Sequence, residues 1–140
     1  MATAAYQAGE PEAVAARYRI HFQPSLKHRE HYESMMARMR AGFVSQGKDG
    51  IVKARAIEDR LMRDTWNVPN YDLLPKLAGL AVPTLVIAGD YDFMAGAAER
   101  IARAIPRAEL VTVKDCGHFA FLECGGAVRS ALDSFLVRRK

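Results

Sequence analysis

The sequence predicts an α/β fold: a helical cap or lid segment over residues 1–70, then a β-α-β-α unit of incomplete parallel sheet over 71–140. Three observations predict it. Thr84–Ala88 is a short, apolar, β-branched run with a proline just before it and a glycine just after, the pattern of a strand buried on both faces. Glu109–Val113 reads as another strand after a helical stretch, and that order implies a right-handed crossover between parallel strands. The seventy residues upstream carry helical spacing and no strand pattern.

Taken in order, Met1–Gly9 is small and polar, and is expected to fray. From Pro11, which suits a first helical turn, Val14, Tyr18 and Phe22 keep helical spacing until Pro24-Ser25 interrupts them. A second helix is predicted from about Lys27 to Val44, with Tyr32, Met35, Met36, Met39 and Phe43 on one stripe. Such a stripe is read as core, although methionines also suit adaptable pockets. Ser45–Gly50 is a glycine-bracketed turn, and a third helix follows to Thr65 with Ile51, Ala54, Ile57, Leu61 and Met62 inward. Trp66, Pro69 and Asn70 mark its exit, and Tyr71–Leu77 makes a short helix or turn before the first strand. Pro83 stands at the strand entrance, where no ladder donor is needed. Helices are expected at Ala95–Ile105 and Gly125–Val137.

Half of the 140 residues are hydrophobic, so a core can form and disorder is disfavoured. The formal net charge is +4, with basic residues spread along helices and one cluster, Arg138-Arg139-Lys140, at the end. Cations in a last helical turn answer the helix macrodipole, so no nucleic-acid partner is expected. Cys116 and Cys124 are too few for a disulfide scaffold and lack zinc or Cys-x-x-Cys spacing, which fits a reduced, cytoplasmic setting. No signal-peptide pattern is visible, and no apolar run approaches the ~20 residues that span a membrane.

The chemistry concentrates where the two strands end. Gly89-Asp90-Tyr91-Asp92 follows the first, and Asp115-Cys116-Gly117-His118 follows the second. In open parallel sheets the carboxyl ends of strands are where ligands bind. Val82–Ile87 through Gly89-x-x-Asp92, then Cys116-Gly117-His118-Phe119, resembles the last two strands of an α/β-hydrolase. Tyr18-Arg19-Ile20-His21-Phe22 and Tyr71-Asp72-Leu73-Leu74-Pro75 resemble the cap of proline-iminopeptidase-type hydrolases. The resemblance implies that Asp92 and His118 are the acid and histidine of a Ser–His–acid triad. The acid fixes the histidine tautomer and stabilises the imidazolium, and the histidine takes the hydroxyl proton. Asp90 reads as a turn former through its own amides, and Asp115, three residues before His118 in a loop, as another turn residue. The resemblance also implies that Glu123 serves the last helix.

No Gly-x-Ser-x-Gly nucleophile elbow occurs. The nearest imitation, Gly42–Gly47 around Ser45, is one residue too long and follows a helix rather than a strand. The expectation is therefore a piece of a hydrolase that supplies the acid and histidine but not the nucleophile. Its partner would be a small-molecule or peptide substrate, bound with the missing N-terminal half. The alternative is a non-catalytic binding module derived from the same fold. No cofactor is implied, and His21, His28 and His31 read as surface residues rather than metal ligands. Cap carboxylates hold the substrate amine in aminopeptidase-type relatives, and Glu30, Glu33, Glu58 and Asp59 are available for it. An unpartnered edge of the first strand would favour self-association.

Overall fold

The computed structural model describes residues 3–139, so expectations for Met1, Ala2 and Lys140 lie outside the described residues. The chain divides into two compact units. One takes in the chain up to Gln23 together with Tyr32–Tyr71; the other takes in Pro24–His31 and the chain from Asp72 onward.

The first unit is helical. Rather than fraying, Ala4–Gln7 forms a one-turn helix, α1, because the Thr3 hydroxyl caps it at the Tyr6 amide. Helix α2, Pro11–His21, starts on a proline whose missing N–H costs nothing in a first turn. Helix α3 runs from Tyr32 to Leu61 and is broken only at Gly47, whose φ of 65° and ψ of 175° are open to glycine. The broad turn expected at Ser45–Gly50 is thus a kink at one residue. A π-helical turn, Met62–Trp66, ends the helix.

Val14, Met35, Met36 and Ile51 are buried, and the Tyr18 ring stacks on Phe22 and Phe43 at 5.3 Å. The methionine stripe is core, as its spacing predicts. The second stripe is different: Ile51 is buried, but Ile57 is 61 % exposed, Leu61 56 % and Met62 39 %. Helical spacing places such residues on one face without specifying whether anything covers that face.

The second unit holds a two-stranded parallel sheet. Helix α4, Leu74–Leu77, leads to strand β1, Thr84–Gly89, then α5, Ala95–Ala104, and strand β2, Ala108–Val113. A one-turn helix α6, Ala120–Glu123, interrupts what reads as a loop, and α7, Gly125–Val137, follows. The strands pair in register from Thr84 opposite Ala108 to Gly89 opposite Val113.

Only the carboxyl end of β1 is fully buried, at Ala88 and Gly89; Thr84–Ile87 are half-buried. The sequence pattern describes a strand covered on both faces, whereas two strands with these helices cover it partly. The core gathers at the carboxyl ends, where Val113, Cys116 and Ala120 pack with Ile87, Val111, Cys124 and Val128. Cys116 and Cys124, expected as free thiols, form a disulfide with Cα atoms 6.3 Å apart. The α6 turn folds the eight-residue separation back on itself, which spacing alone does not reveal.

Candidate functional site

Two loops leave adjacent strand ends. Gly89 closes β1 in register with Val113, and the loop after β2 passes directly over it. A Cβ at Gly89 would stand 2.2 Å from the Cys116 carbonyl oxygen and 2.4 Å from that of Gly117. Glycine is required here for close approach of two backbones, a need that its place in the sequence signals only as a turn.

Three hydrogen bonds lock the loops together. The Asp90 amide donates to the Val113 carbonyl at 2.9 Å, the Tyr91 amide to the Cys116 carbonyl at 2.8 Å, and the Cys116 amide to Asp90 Oδ1 at 3.2 Å. Asp90 therefore does more than turn its own backbone: its carboxylate anchors the neighbouring loop, with Lys114 Nζ 3.8 Å away.

Asp92 and His118 are brought together. His118 Nδ1 lies 2.9 Å from Asp92 Oδ1, and that oxygen also accepts the Met94 amide at 2.8 Å, which fixes the carboxylate in an Asx turn. The Asp92 side chain is 10 % exposed and that of His118 30 %. The imidazole is flanked by Phe93 and Phe119, with ring centroids at 4.7 and 5.2 Å. With Nδ1–H donated to the carboxylate, the ring holds the tautomer in which Nε2 carries the free lone pair. A histidine held this way can accept a proton at Nε2 while the carboxylate stabilises the resulting cation.

Asp115 is not within this pairing. It sits at φ 56°, consistent with a turn residue, and it engages His28 instead. His28 Nε2 is 2.7 Å from the Asp115 carbonyl oxygen and 3.1 Å from its Oδ2, while Nδ1 is 3.5 Å from Glu30. The hydrogen bond to the Asp115 carbonyl, with the Asp115 and Glu30 carboxylates adding to it, raises the His28 pKa above the ordinary histidine value. His28 is thus tied to the loop after β2, where sequence position suggested a surface residue.

Sequence reasoning missed a further residue. Glu123, expected to serve the last helix, points its carboxylate the other way. Oε2 accepts the Lys27 and His28 amides, each at 2.8 Å, and Oε1 accepts the Gly117 amide at 3.0 Å. No local pattern could have found this, because two of the three donors lie 95 and 96 residues away. Ser45 lies on an exposed part of α3, within a helix, not on a strand-to-helix elbow. Among the described residues no cluster of three or more His, Cys, Asp or Glu is placed to hold a metal ion. Among them, too, no helix is long and apolar enough to cross a membrane.

The fold has close counterparts among solved structures. A hydrolase from Pseudomonas aeruginosa PA01 is similar over 96 % of this chain and 51 % of its own, with TM-score 0.60 and 28 % identity. The enol-lactonase from Burkholderia xenovorans LB400 matches with TM-score 0.65 and 23 % identity, covering 92 % of this chain and 47 % of that one. MenH from S. aureus has TM-score 0.65 and 22 % identity over 95 % of this chain and 49 % of its own. The chain spans about half the length of these proteins. No curated protein matches it. The family model described as the alpha/beta hydrolase fold matches residues 1–124, and the chain belongs to that family.

Proposed function

We propose that this chain supplies the acid and the base of a serine hydrolase that cleaves esters or amides. The observation that carries the reading is the 2.9 Å pairing of His118 Nδ1 with Asp92 at the carboxyl ends of two adjacent parallel strands. In the proposed reaction, His118 Nε2 removes the proton from a serine hydroxyl as that oxygen bonds to the substrate acyl carbon. Asp92 stabilises the imidazolium that forms. The tetrahedral intermediate collapses, and the leaving alkoxide or amine takes the proton back from Nε2. A water then repeats the sequence on the acyl-serine and releases the acid. The serine and the oxyanion hole would come from the half of the fold that this sequence does not contain, and no cofactor takes part.

Within this reaction class the narrower reading is an aminopeptidase of the proline-iminopeptidase type. Glu58 and Asp59 support it: with Tyr6, Arg17 and Trp66 they line a hollow of about 540 Å³ in the helical unit, where a substrate amine would find carboxylates. The enol-lactonase to which the chain is similar makes lactones the competing substrates to test.

The test joins this chain in frame behind the N-terminal half of the similar Pseudomonas hydrolase. The hybrid is assayed with a fluorophosphonate probe, p-nitrophenyl esters, a lactone and prolyl-naphthylamide. Turnover that falls by about 10⁴ in Asp92→Asn, and comparably in His118→Ala, supports the reading. A hybrid whose turnover is indifferent to both substitutions would sink it. The chain alone should not react with the probe, since no serine here sits in an elbow; stoichiometric labelling would point to a different nucleophile.

A further inference from the structure

We infer that Glu123 is a positioning residue for His118, acting as a carboxylate clamp between the histidine loop and the Pro24–His31 segment. The inference rests on the reading of His118 as the base and extends it to the group that sets its place.

The geometry is specific. Glu123 spends both carboxylate oxygens on backbone amides: Lys27 and His28 on Oε2 and Gly117 on Oε1. Gly117 immediately precedes His118, and the His118 amide in turn donates to the Ser25 carbonyl at 2.8 Å. The residues on either side of the His118 peptide bond are therefore each tied, one through Glu123 and one directly, to the same short segment. That segment contains the 3₁₀ turns Gln23–Ser25 and Arg29–His31, buries Ser25 and Leu26, and is held to the same loops by His28 on Asp115 and by the Lys27 ammonium 3.5 Å over the Tyr91 ring. Gly117 has no room to substitute a different arrangement. A Cβ there would meet the Ser25 oxygen at 2.5 Å, Glu123 Oε1 at 2.6 Å and the Lys27 nitrogen at 2.7 Å. Hydrogen bonds from N–H to a carboxylate are shorter and stronger than neutral ones, and a half-buried carboxylate with three of them resists reorientation. The clamp fixes the φ/ψ of the residues that aim the imidazole, so its effect on catalysis runs through the Asp92–His118 distance rather than through contact with substrate.

The chemistry of the side chain makes the test sharp. Only a carboxylate offers acceptors on both terminal atoms. Glutamine would turn an NH₂ group toward either the Gly117 amide or the Lys27–His28 pair, setting donor against donor. Aspartate keeps the charge but is one methylene too short to reach both sides.

The experiment uses the full chain, ¹⁵N-labelled, with two readouts: the His118 imidazole Nδ1–H resonance, deshielded by Asp92, and amide hydrogen exchange at Lys27, His28 and Gly117. In Glu123→Gln and Glu123→Asp the imidazole resonance should be lost to solvent exchange. The three amides should lose protection together, by about tenfold or more. Glu99→Gln, which removes a surface partner of Arg103 on α5, serves as the control and should leave both readouts unchanged. An unchanged imidazole resonance in Glu123→Gln overturns the inference. If that variant does not fold, wild-type exchange decides: three amides protected and opening at the rate of the His118 amide support the clamp, and unprotected amides overturn it. Asp92→Asn separates the two levels, because an imidazole resonance indifferent to Asp92 defeats the acid assignment itself, whatever Glu123 does.

Discussion

Replacing Gly89 by alanine should cost far more than the same change at an open helix position such as Gly42. The added Cβ would lie 2.2 Å from one backbone oxygen, 2.4 Å from a second and 2.6 Å from the Cys116 carbonyl carbon. An ordinary carbon–oxygen contact is about 3.3–3.6 Å, so the histidine loop must retreat by roughly 1 Å. The obstacle is backbone, not the tip of a flexible side chain. The same loop holds the Tyr91 amide and receives Asp90, so the retreat also stretches those bonds. Overpacking of this kind costs about 1–3 kcal/mol, and one net hydrogen bond lost adds about 1. The expected total of about 3 kcal/mol lowers Tm by roughly 10 °C for a chain of this size. The assay is thermal unfolding by circular dichroism at low, fixed protein concentration, with Gly42→Ala in parallel. Gly42 lies within α3, and a Cβ there meets nothing within 4 Å. That substitution should instead stabilise by roughly 0.5–1 kcal/mol. A Gly89→Ala protein that melts with or above the wild type would refute the argument from close approach.

Reduction of the Cys116–Cys124 disulfide reopens a short loop, and loop-closure entropy puts the loss at about 2.5 kcal/mol; unchanged melting with dithiothreitol, or two alkylatable thiols before reduction, would contradict it. The pH dependence should have two opposed limbs. The His28 pKa is raised in the fold, so its contribution is full below the ordinary histidine value and is lost as pH rises through the folded one. The Glu109 pKa is lowered, first by its hydrogen bond to Arg138 and then by Arg139, so its contribution holds at neutral pH and is lost as pH falls through the folded value. His28→Ala should flatten the alkaline limb and Glu109→Gln the acid one; limbs unaltered by both substitutions would show that other groups govern them. A two-stranded sheet leaves outer strand edges open among the described residues, so light scattering should detect concentration-dependent association. A monomer mass constant over a hundredfold dilution would argue otherwise.

What could be foreseen divides along a physical line. The strands at Thr84 and Glu109, and the meeting of Asp92 with His118, were legible because each is written in a few contiguous residues. A β-branched run specifies a strand, and a strand end specifies where the next loop starts. The Pro24–His31 segment was not legible. Its place depends on hydrogen bonds to Glu123 and on the Ser25 carbonyl, across more than ninety residues of chain. The exposure of Ile57 and Leu61 escaped for a related reason, since periodicity names a face and tertiary packing decides what covers it. The cysteine pair escaped because α6, one turn long, is too short to announce itself.

The alternation of the two units along the chain limits how the protein can be recombined. Because Pro24–His31 belongs with the later residues, the polypeptide passes from one unit to the other three times, after Gln23, His31 and Tyr71. A single crossover therefore cannot exchange the helical unit for that of another protein of the alpha/beta hydrolase fold. A donor helical unit spliced in at Tyr71 alone would bring its own version of the segment that Glu123 and His118 grip. Functional grafts would need an eight-residue island from the recipient retained inside the donor sequence, Pro24 through His31. Lineages that swap the helical unit by simple recombination should accordingly carry that island with the histidine loop rather than with the helices.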